Sequence, residues 1–247
     1  MIHRYTVIDS TNTHAKRLAE EGAPNGTFVI AEHQTGGRGR LGRSFHSPSG
    51  SGIYLSMILR PELPPSQLMH LTCAAAVAAC DAVEESTGIR PGIKWTNDLV
   101  IGKKKLGGIL TELCMKDGLV SYAIIGIGIN CTQKTQDFPP ELQDMATSLH
   151  AASGQAISKD KVEQSLIRSL LALSTSLCEQ KTQLLSQYRK DCITLGQQIC
   201  VLRGDDVRHG TALDIDEEGA LIVLYTDGES AAVSSGEVSI RGMYGYV

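Results

Sequence analysis

The sequence is poor in aromatic residues, with one tryptophan, three phenylalanines and seven tyrosines among 247 positions. It has no excess of positive charge either: the formal net charge is −4. A dedicated nucleic-acid binder carries a basic face and rings for stacking, so both shortages argue against that class. None of the seven cysteines forms a Cys-x-x-Cys pair, and their number is odd. A disulfide framework or a zinc site is not expected; reduced, mostly buried thiols are. No Gly-x-Ser-x-Gly elbow and no His-Glu-x-x-His occurs, and the seven histidines are scattered, which leaves little for serine or zinc hydrolysis. No signal peptide opens the chain. The longest apolar run, at residues 74–80, reads as too short to span a bilayer. Together these absences describe a cytoplasmic protein without a membrane segment.

What is present is concentrated in Gly36-Gly37-Arg38-Gly39-Arg40-Leu41-Gly42-Arg43, four glycines and three arginines in eight residues. Such glycines let the backbone approach a ligand closely. The arginines supply forked donors that match phosphate or carboxylate oxygens in pairs. A local basic loop in a mildly acidic chain favours a small anionic ligand. Residues 27–31 before the loop and 52–59 after it are both apolar and β-rich. Strand–loop–strand differs from the strand–loop–helix order of a P-loop or a dinucleotide fingerprint, so Gly37, Gly39 and Gly42 are not that motif.

The remaining order reads as an α+β chain. A strand at residues 5–8 leads to the N-cap cluster Asp9-Ser10-Thr11-Asn12 and a helix stopping at Gly22; from position alone, those residues read as a helix cap. A long helix from a Ser66 cap ends at Gly88. Residues 92–101 read as one apolar strand with polar groups in its middle. Alternation along it places Lys94, Thr96 and Asp98 on one face. Strands 105–113 and 122–130 follow, giving a mostly antiparallel meander. Ser158 caps an amphipathic covering helix that continues, with a break, to Tyr188. From residue 195 the pattern changes to short strands at 198–202, 207–213, 220–224 and 231–240, which read as a small β-barrel. The domain boundary is expected near residue 194.

Lys94, Asn97, Asp98, Lys105 and Asn130 therefore join the arginine loop as groups able to hold a nucleotide triphosphate with its Mg²⁺. Phosphoryl and nucleotidyl transfer rests on positioning and electrostatics, so it leaves lysines, arginines and glycines rather than a nucleophile triad. The residues alone lead to ATP-dependent activation of a carboxylate.

Five motifs in register carry a family likeness. Asp9-Ser10-Thr11-Asn12, Gln34 with Gly37-Arg38-Gly39-Arg40-Leu41-Gly42-Arg43, Lys94-Trp95-Thr96-Asn97-Asp98, Lys105-Leu106-Gly107-Gly108-Ile109-Leu110 and Gly126-Ile127-Gly128-Ile129-Asn130 resemble the motifs of biotin–protein ligases. The likeness extends to Gly236-Glu237-Val238-Ser239-Ile240-Arg241. It implies a catalytic domain at 1–194, with a mixed sheet and helices like class II aminoacyl-tRNA synthetases, and an SH3-like barrel at 195–247. The implied reaction joins biotin's carboxylate to ATP as biotinyl-5′-adenylate, then passes the biotinyl group to a lysine of a biotin carrier domain.

By the same resemblance Ser10, Thr11, Asn12, Gln34, Gly37, Arg38, Lys105 and Gly108 hold biotin. Arg40, Arg43, Phe45, Lys94, Asn97, Asp98 and Asn130 serve ATP or the adenylate. Lys105 and Arg40 act at the reacting carboxylate and phosphate. ATP and Mg²⁺ are implied, with the metal ligands unassigned, and the protein is expected as a monomer or homodimer. Two positions depart from the family pattern: Phe45 stands where a tryptophan is usual, and Thr96 replaces a proline. Bifunctional members begin with a DNA-binding helix-turn-helix; this chain starts at the catalytic motifs, so no DNA partner is expected. The alternatives are a lipoate or octanoate ligase of the same superfamily and, more distantly, an Arg/Gly-loop RNA binder.

Overall fold

In a computed structural model, which describes residues 1–234 and 239–242, the strands assemble into two sheets. Strands β1 (Ile2–Ile8), β2 (Thr27–Gln34), β3 (Gly52–Leu59), β4 (Gly92–Lys94), β5 (Asp98–Ile101), β6 (Lys104–Lys116) and β7 (Leu119–Asn130) form a seven-stranded sheet in the order β1-β2-β3-β7-β6-β5-β4. β1 runs parallel to β2 and every other pair is antiparallel. The direct β2–β3 pairing, Thr27 opposite Ile58, makes the arginine loop the end of a hairpin, as its setting predicts.

Alternation divides the sheet into two faces. Phe28, Ile30, Met57 and Ile125 point into the main core, and Val29, Ile58 and Ile124 point the other way, onto Ala15 and Ala19 of α1 (Thr11–Glu20). Helix α2 (Leu71–Thr87) fills the main core with alanine and cysteine, backed by α4 (Lys159–Ser176) and α5 (Lys181–Asp191), with α3 (Leu149–Ser153) a short piece before them. Its small side chains let it sit close on the β-sheet. Gly88, at φ 75°, ends it in the left-handed conformation that glycine tolerates. Ser158 caps α4 by accepting from the Lys161 N–H.

Four expectations are corrected. The α2 segment begins at Leu71, after a 3₁₀ turn at Pro65–Leu68, because Pro64 and Pro65 hold the earlier residues in a tight turn. Pro65–Thr87 is by length and composition apolar enough to cross a membrane, yet it is mostly buried as a core helix. Residues 92–101 form a two-stranded hairpin in place of one strand, with Lys94 directly opposite Asp98. Lys94 and Asp98 still share a face, by cross-strand pairing; Thr96 lies in the connecting turn and is buried. The C-terminal strands β8 (Gln198–Arg203), β9 (Asp206–Ile215), β10 (Leu221–Tyr225), β11 (Ser230–Val233) and β12 (Ser239–Gly242) make an antiparallel sheet ordered β11-β10-β9-β8-β12. What reads as a single strand at 231–240 is thus two, on opposite edges, and among the described residues β11 and β12 do not pair to close a barrel. Of the C-terminal motif, Gly236, Glu237 and Val238 lie outside the described residues.

The two sheets share one hydrophobic core, which runs from Phe28 through α2 to Ile199, Ala212 and Val223. Trp95 Nε1 donates to Gly219 O at 3.1 Å, and Trp95 N to Thr194 Oγ1 at 2.9 Å. All seven cysteines are free thiols.

His70, fully buried before α2, faces Leu177 O at 3.1 Å. Burial lowers its pKa, with the Leu177 carbonyl opposing and Lys181 assisting. On acidification the unfolded chain takes up this proton first, near about pH 6.5. Stability present above that pH is therefore lost as pH falls toward the folded-state pKa. Urea midpoints are expected to drop between about pH 7 and pH 5. His70→Gln should flatten that slope; an unchanged slope would assign it to other groups.

Candidate active site

The face of the sheet that carries α1 also carries the site, one step along the strands. On β7 the residues pointing to this face run Ile124, Gly126, Gly128, Asn130, and the opposed β6 positions are Glu112, Leu110 and Gly108. Where the side chains shrink to glycine, the surface opens into a cleft of about 1700 Å³. Of the expected site residues all but Gly37 line it. Gly37 acts beside it: a Cβ there would lie 2.5 Å from Phe45 O and 2.6 Å from Ser47 Oγ, so glycine lets the two limbs of the loop close.

One end of the cleft is a network of mostly neutral polar groups, tied to the Glu112 carboxylate. Thr11 donates to Gln34 Oε1 from both N (2.8 Å) and Oγ1 (3.1 Å), and Gln34 Nε2 donates to Ser47 Oγ at 2.9 Å. Ser56 Oγ lies 2.6 Å from Asn12 Oδ1 and 2.8 Å from Thr11 Oγ1. Asn12 Nδ2 donates to Leu110 O (3.2 Å) and Glu112 Oε2 (2.9 Å). The helix-cap reading of Ser10-Thr11-Asn12 is therefore corrected: Ser10 makes no side-chain cap bond, and the three buried side chains turn toward the cleft. A largely buried hydrogen-bonded network of this kind holds donors and acceptors at fixed positions.

Arg38 reaches the same network, pairing with Glu112 through NH2–Oε1 at 3.0 Å and NH1–Oε2 at 3.3 Å. Its loop is a small hairpin: Gly39 N donates to Arg43 O (2.7 Å), Phe45 N to Gly37 O (2.9 Å), and Leu41 turns the corner at φ 55°. Phe45 lies edge-on to Tyr54, with ring centroids 6.4 Å apart. A Cβ on Gly128 would sit 2.5 Å from the Phe45 ring, so the glycine makes the seat for that ring.

The other end is charged. Lys105 Nζ lies 2.6 Å from Asp98 Oδ1, and a Cβ on Gly108 would meet both at 3.4–3.5 Å. Arg40 NH1 donates to Asn97 Oδ1 at 3.1 Å, and Asn97 Nδ2 to Ile109 O at 2.9 Å. Burial lowers the Arg40 pKa, opposed by Asp98, but a guanidinium remains charged at any working pH. Lys94 is buried at the hairpin's edge. Ile193, Gly196, Gln197 and Gln198 close the far end of the cleft. Two cations, Lys105 and Arg40, thus line the same cleft as the hydrogen-bonding groups of Thr11, Asn12 and Gln34.

Ser47, Ser56 and Glu112 are network members that the motif reading omits. Ser56 carries a visible signal, a hydroxyl in the middle of the apolar run Gly52–Leu59. Glu112 carries none, since a glutamate on a strand reads as solvated.

Residues 5–130 match the biotin/lipoate A/B protein ligase family. The chain belongs to that family. Residues 194–241 match the C-terminal domain of biotin protein ligases. This ligase is 40% identical over 232 residues to the bifunctional ligase/repressor BirA of Bacillus spizizenii, an alignment covering 90% of the chain and 69% of that protein. It is 34% identical over 235 residues to the biotin–[acetyl-CoA-carboxylase] ligase of Mycobacterium tuberculosis, covering 93% of the chain and 85% of its relative. Among solved structures, the biotin protein ligase of Aquifex aeolicus in complex with biotin and ATP superposes with a TM-score of 0.82 at 30% identity, over 98% of each chain.

Proposed function

We propose that this ligase condenses biotin with ATP to give biotinyl-5′-AMP and pyrophosphate, and transfers the biotinyl group to a lysine of a biotin carrier protein. The observation that carries the proposal is one cleft lined both by the hydrogen-bonding residues Thr11, Asn12 and Gln34 and by the charged groups Lys105, Asp98 and Arg40. The neutral pocket, from Thr11, Asn12, Gln34 and Ser56 with Ser10 beside them, offers donors and acceptors suited to a cyclic urea. Arg38 stands at its edge.

In the first step a biotin carboxylate oxygen attacks the α-phosphorus and pyrophosphate leaves. Lys105 and Arg40 stabilise the charge gathering on the carboxylate and phosphoryl oxygens. In the second the neutral carrier amine attacks the acyl carbon, AMP leaves, and the amine's proton is released. Lys94, Asn97 and Arg43 serve the nucleotide side, and Phe45 forms part of the wall between loop and sheet. Mg²⁺ brought with ATP would offset phosphate charge, and Asp98, the carboxylate beside Lys105, would be the residue to hold it.

We assign residues 195–247 to a C-terminal domain, an assignment supported by the match of residues 194–241 to the C-terminal domain of biotin protein ligases. A cytoplasmic setting is part of the proposal, in keeping with the free thiols. Biotin is favoured over lipoate because the C-terminal match and the named relatives are those of biotin ligases.

The test is pyrophosphate release with biotin, lipoate or octanoate, followed by labelling of a biotin carrier domain. Release and labelling with biotin alone are expected. Turnover with lipoate and none with biotin would overturn the assignment.

A further inference from the structure

We infer that Glu112 is a positioning residue for biotin: its carboxylate ties the arginine loop to α1 and fixes which way the Asn12 amide faces. The inference rests on the ligase reading for the ligand, and on geometry alone for the network.

The arginine loop leaves β2 at Gln34, yet Glu112 stands on β6, three strands further along the order β2-β3-β7-β6. β7 clears the way between them with two glycines. A Cβ on Gly128 would meet the Phe45 ring, and one on Gly126 the Asn12 amide. On the far side Arg38 closes a two-pronged pair with Glu112, NH2 to Oε1 at 3.0 Å and NH1 to Oε2 at 3.3 Å. Oε2 also accepts from Asn12 Nδ2 at 2.9 Å, and Asn12 belongs to the first turn of α1. One partly buried carboxylate thus gathers donors from two separate elements that line the pocket.

The charge matters because of what a carboxylate lacks. It has no hydrogen, so the group facing it must be a donor. Asn12 has a donor side and an acceptor side of nearly the same shape. Glu112 and Leu110 O, both acceptors, hold its Nδ2 side at 2.9 and 3.2 Å. Oδ1 is left for the Ser56 hydroxyl, 2.6 Å away, and Ser56 Oγ lies 2.8 Å from Thr11 Oγ1. Thr11, Asn12 and Ser56 are all buried, where a misdirected donor is felt most. The orientation of one amide is therefore passed along the floor of the pocket, and Glu112 sets it from outside.

A glutamine at position 112 keeps the shape of the side chain and can still accept a hydrogen bond. It also brings an NH2 group, which has no partner on Arg38 and admits a turned-over Asn12, with Leu110 O alone left to oppose the turn. Glu112→Gln is for that reason the deciding variant. Calorimetric titration is expected to show biotin bound about tenfold more weakly, the scale of one buried polar group left badly paired. KM for biotin should rise with it. KM for ATP, and kcat of pyrophosphate release at saturating biotin, should stay within about threefold, because the network binds ground and transition states alike.

The Asn12 side-chain amide gives an independent reading by nitrogen–proton NMR of the ligand-free protein. Its Nδ2 signals should move in Glu112→Gln, since one of the two acceptors is altered. Should that variant fail to fold, Glu112→Asp, which keeps the charge and shortens the reach, is expected to move the same readings in the same direction by less. Wild-type biotin affinity in the variant, equal rises in KM for ATP and biotin, a fall in kcat with binding intact, or unmoved Asn12 signals would each overturn the inference. A wild-type protein that binds no biotin would instead overturn the ligase reading, and the amide signals would still judge the network.

Discussion

Replacing Lys105 by alanine is expected to lower biotin-dependent pyrophosphate release by about a hundredfold to a thousandfold, the range for removing one oriented charge-stabilising group. The amine stands 2.6 Å from Asp98, above the gap left by Gly108. A second cation, Arg40, lines the same cleft and donates to Asn97. In the proposed mechanism both charges act on oxygens that become more negative in the transition state, and Arg40 remains when Lys105 is gone, so a residual rate should persist. The fold should survive the change. The Lys105–Asp98 pair is partly solvated, its side chains 33% and 19% exposed, and such pairs contribute about 1 kcal/mol or less. Single-turnover release beside a melting curve separates the two effects. A rate within about threefold of wild type would remove Lys105 from the chemistry.

Gly126→Ala is expected to weaken biotin binding by about a hundredfold, through Asn12. A Cβ at position 126 would collide with the Asn12 amide. That amide bonds the part-buried Leu110 O and Glu112 and the buried Ser56, and displacing it breaks all three, at about 1–3 kcal/mol for a buried group left unsatisfied. The mechanism predicts its own cure. In an Asn12→Ala background the clash is absent, so Gly126→Ala should then cost little, a strongly non-additive pair. Calorimetric titration with biotin across the four proteins makes the check. Full loss from Gly126→Ala in the Asn12→Ala background would show that the glycine acts some other way.

How much of this was legible beforehand varies with the kind of signal. The hairpin around the arginine loop follows from two apolar runs flanking glycines, and the structure has it as β2 and β3. The β6 and β7 strands follow from β-branched runs around Asp117-Gly118, whose positive φ values of 53° and 80° make the turn. The residues of the cleft were legible because their motifs are local in sequence. What joins them was not. Glu112 binds Arg38 and Asn12 from 74 and 100 residues away, and no periodicity encodes a partner at that distance.

Residues 92–101 were misread for a related reason: alternation looks the same in one strand as in a hairpin whose arms pair Lys94 with Asp98. The helix-cap reading failed because Ser, Thr and Asn at a helix start satisfy the same pattern whether they bond the helix or face a ligand. In the C-terminal part, turn residues marked the strands but left edge pairing undetermined.

Trp95 has a practical consequence. It is the sole tryptophan, buried at the joint where its indole N–H meets Gly219 O, one residue from Lys94 and two from Asn97. Its ring also borders the cleft. The molecule therefore carries one tryptophan fluorophore, placed where its emission registers both separation of the two sheets and occupancy of the cleft. Detachment of the C-terminal sheet would strip the indole of its acceptor and admit water, shifting emission to the red, whereas filling the cleft would alter intensity with the indole still shielded. The two events can be told apart optically in the unlabelled protein.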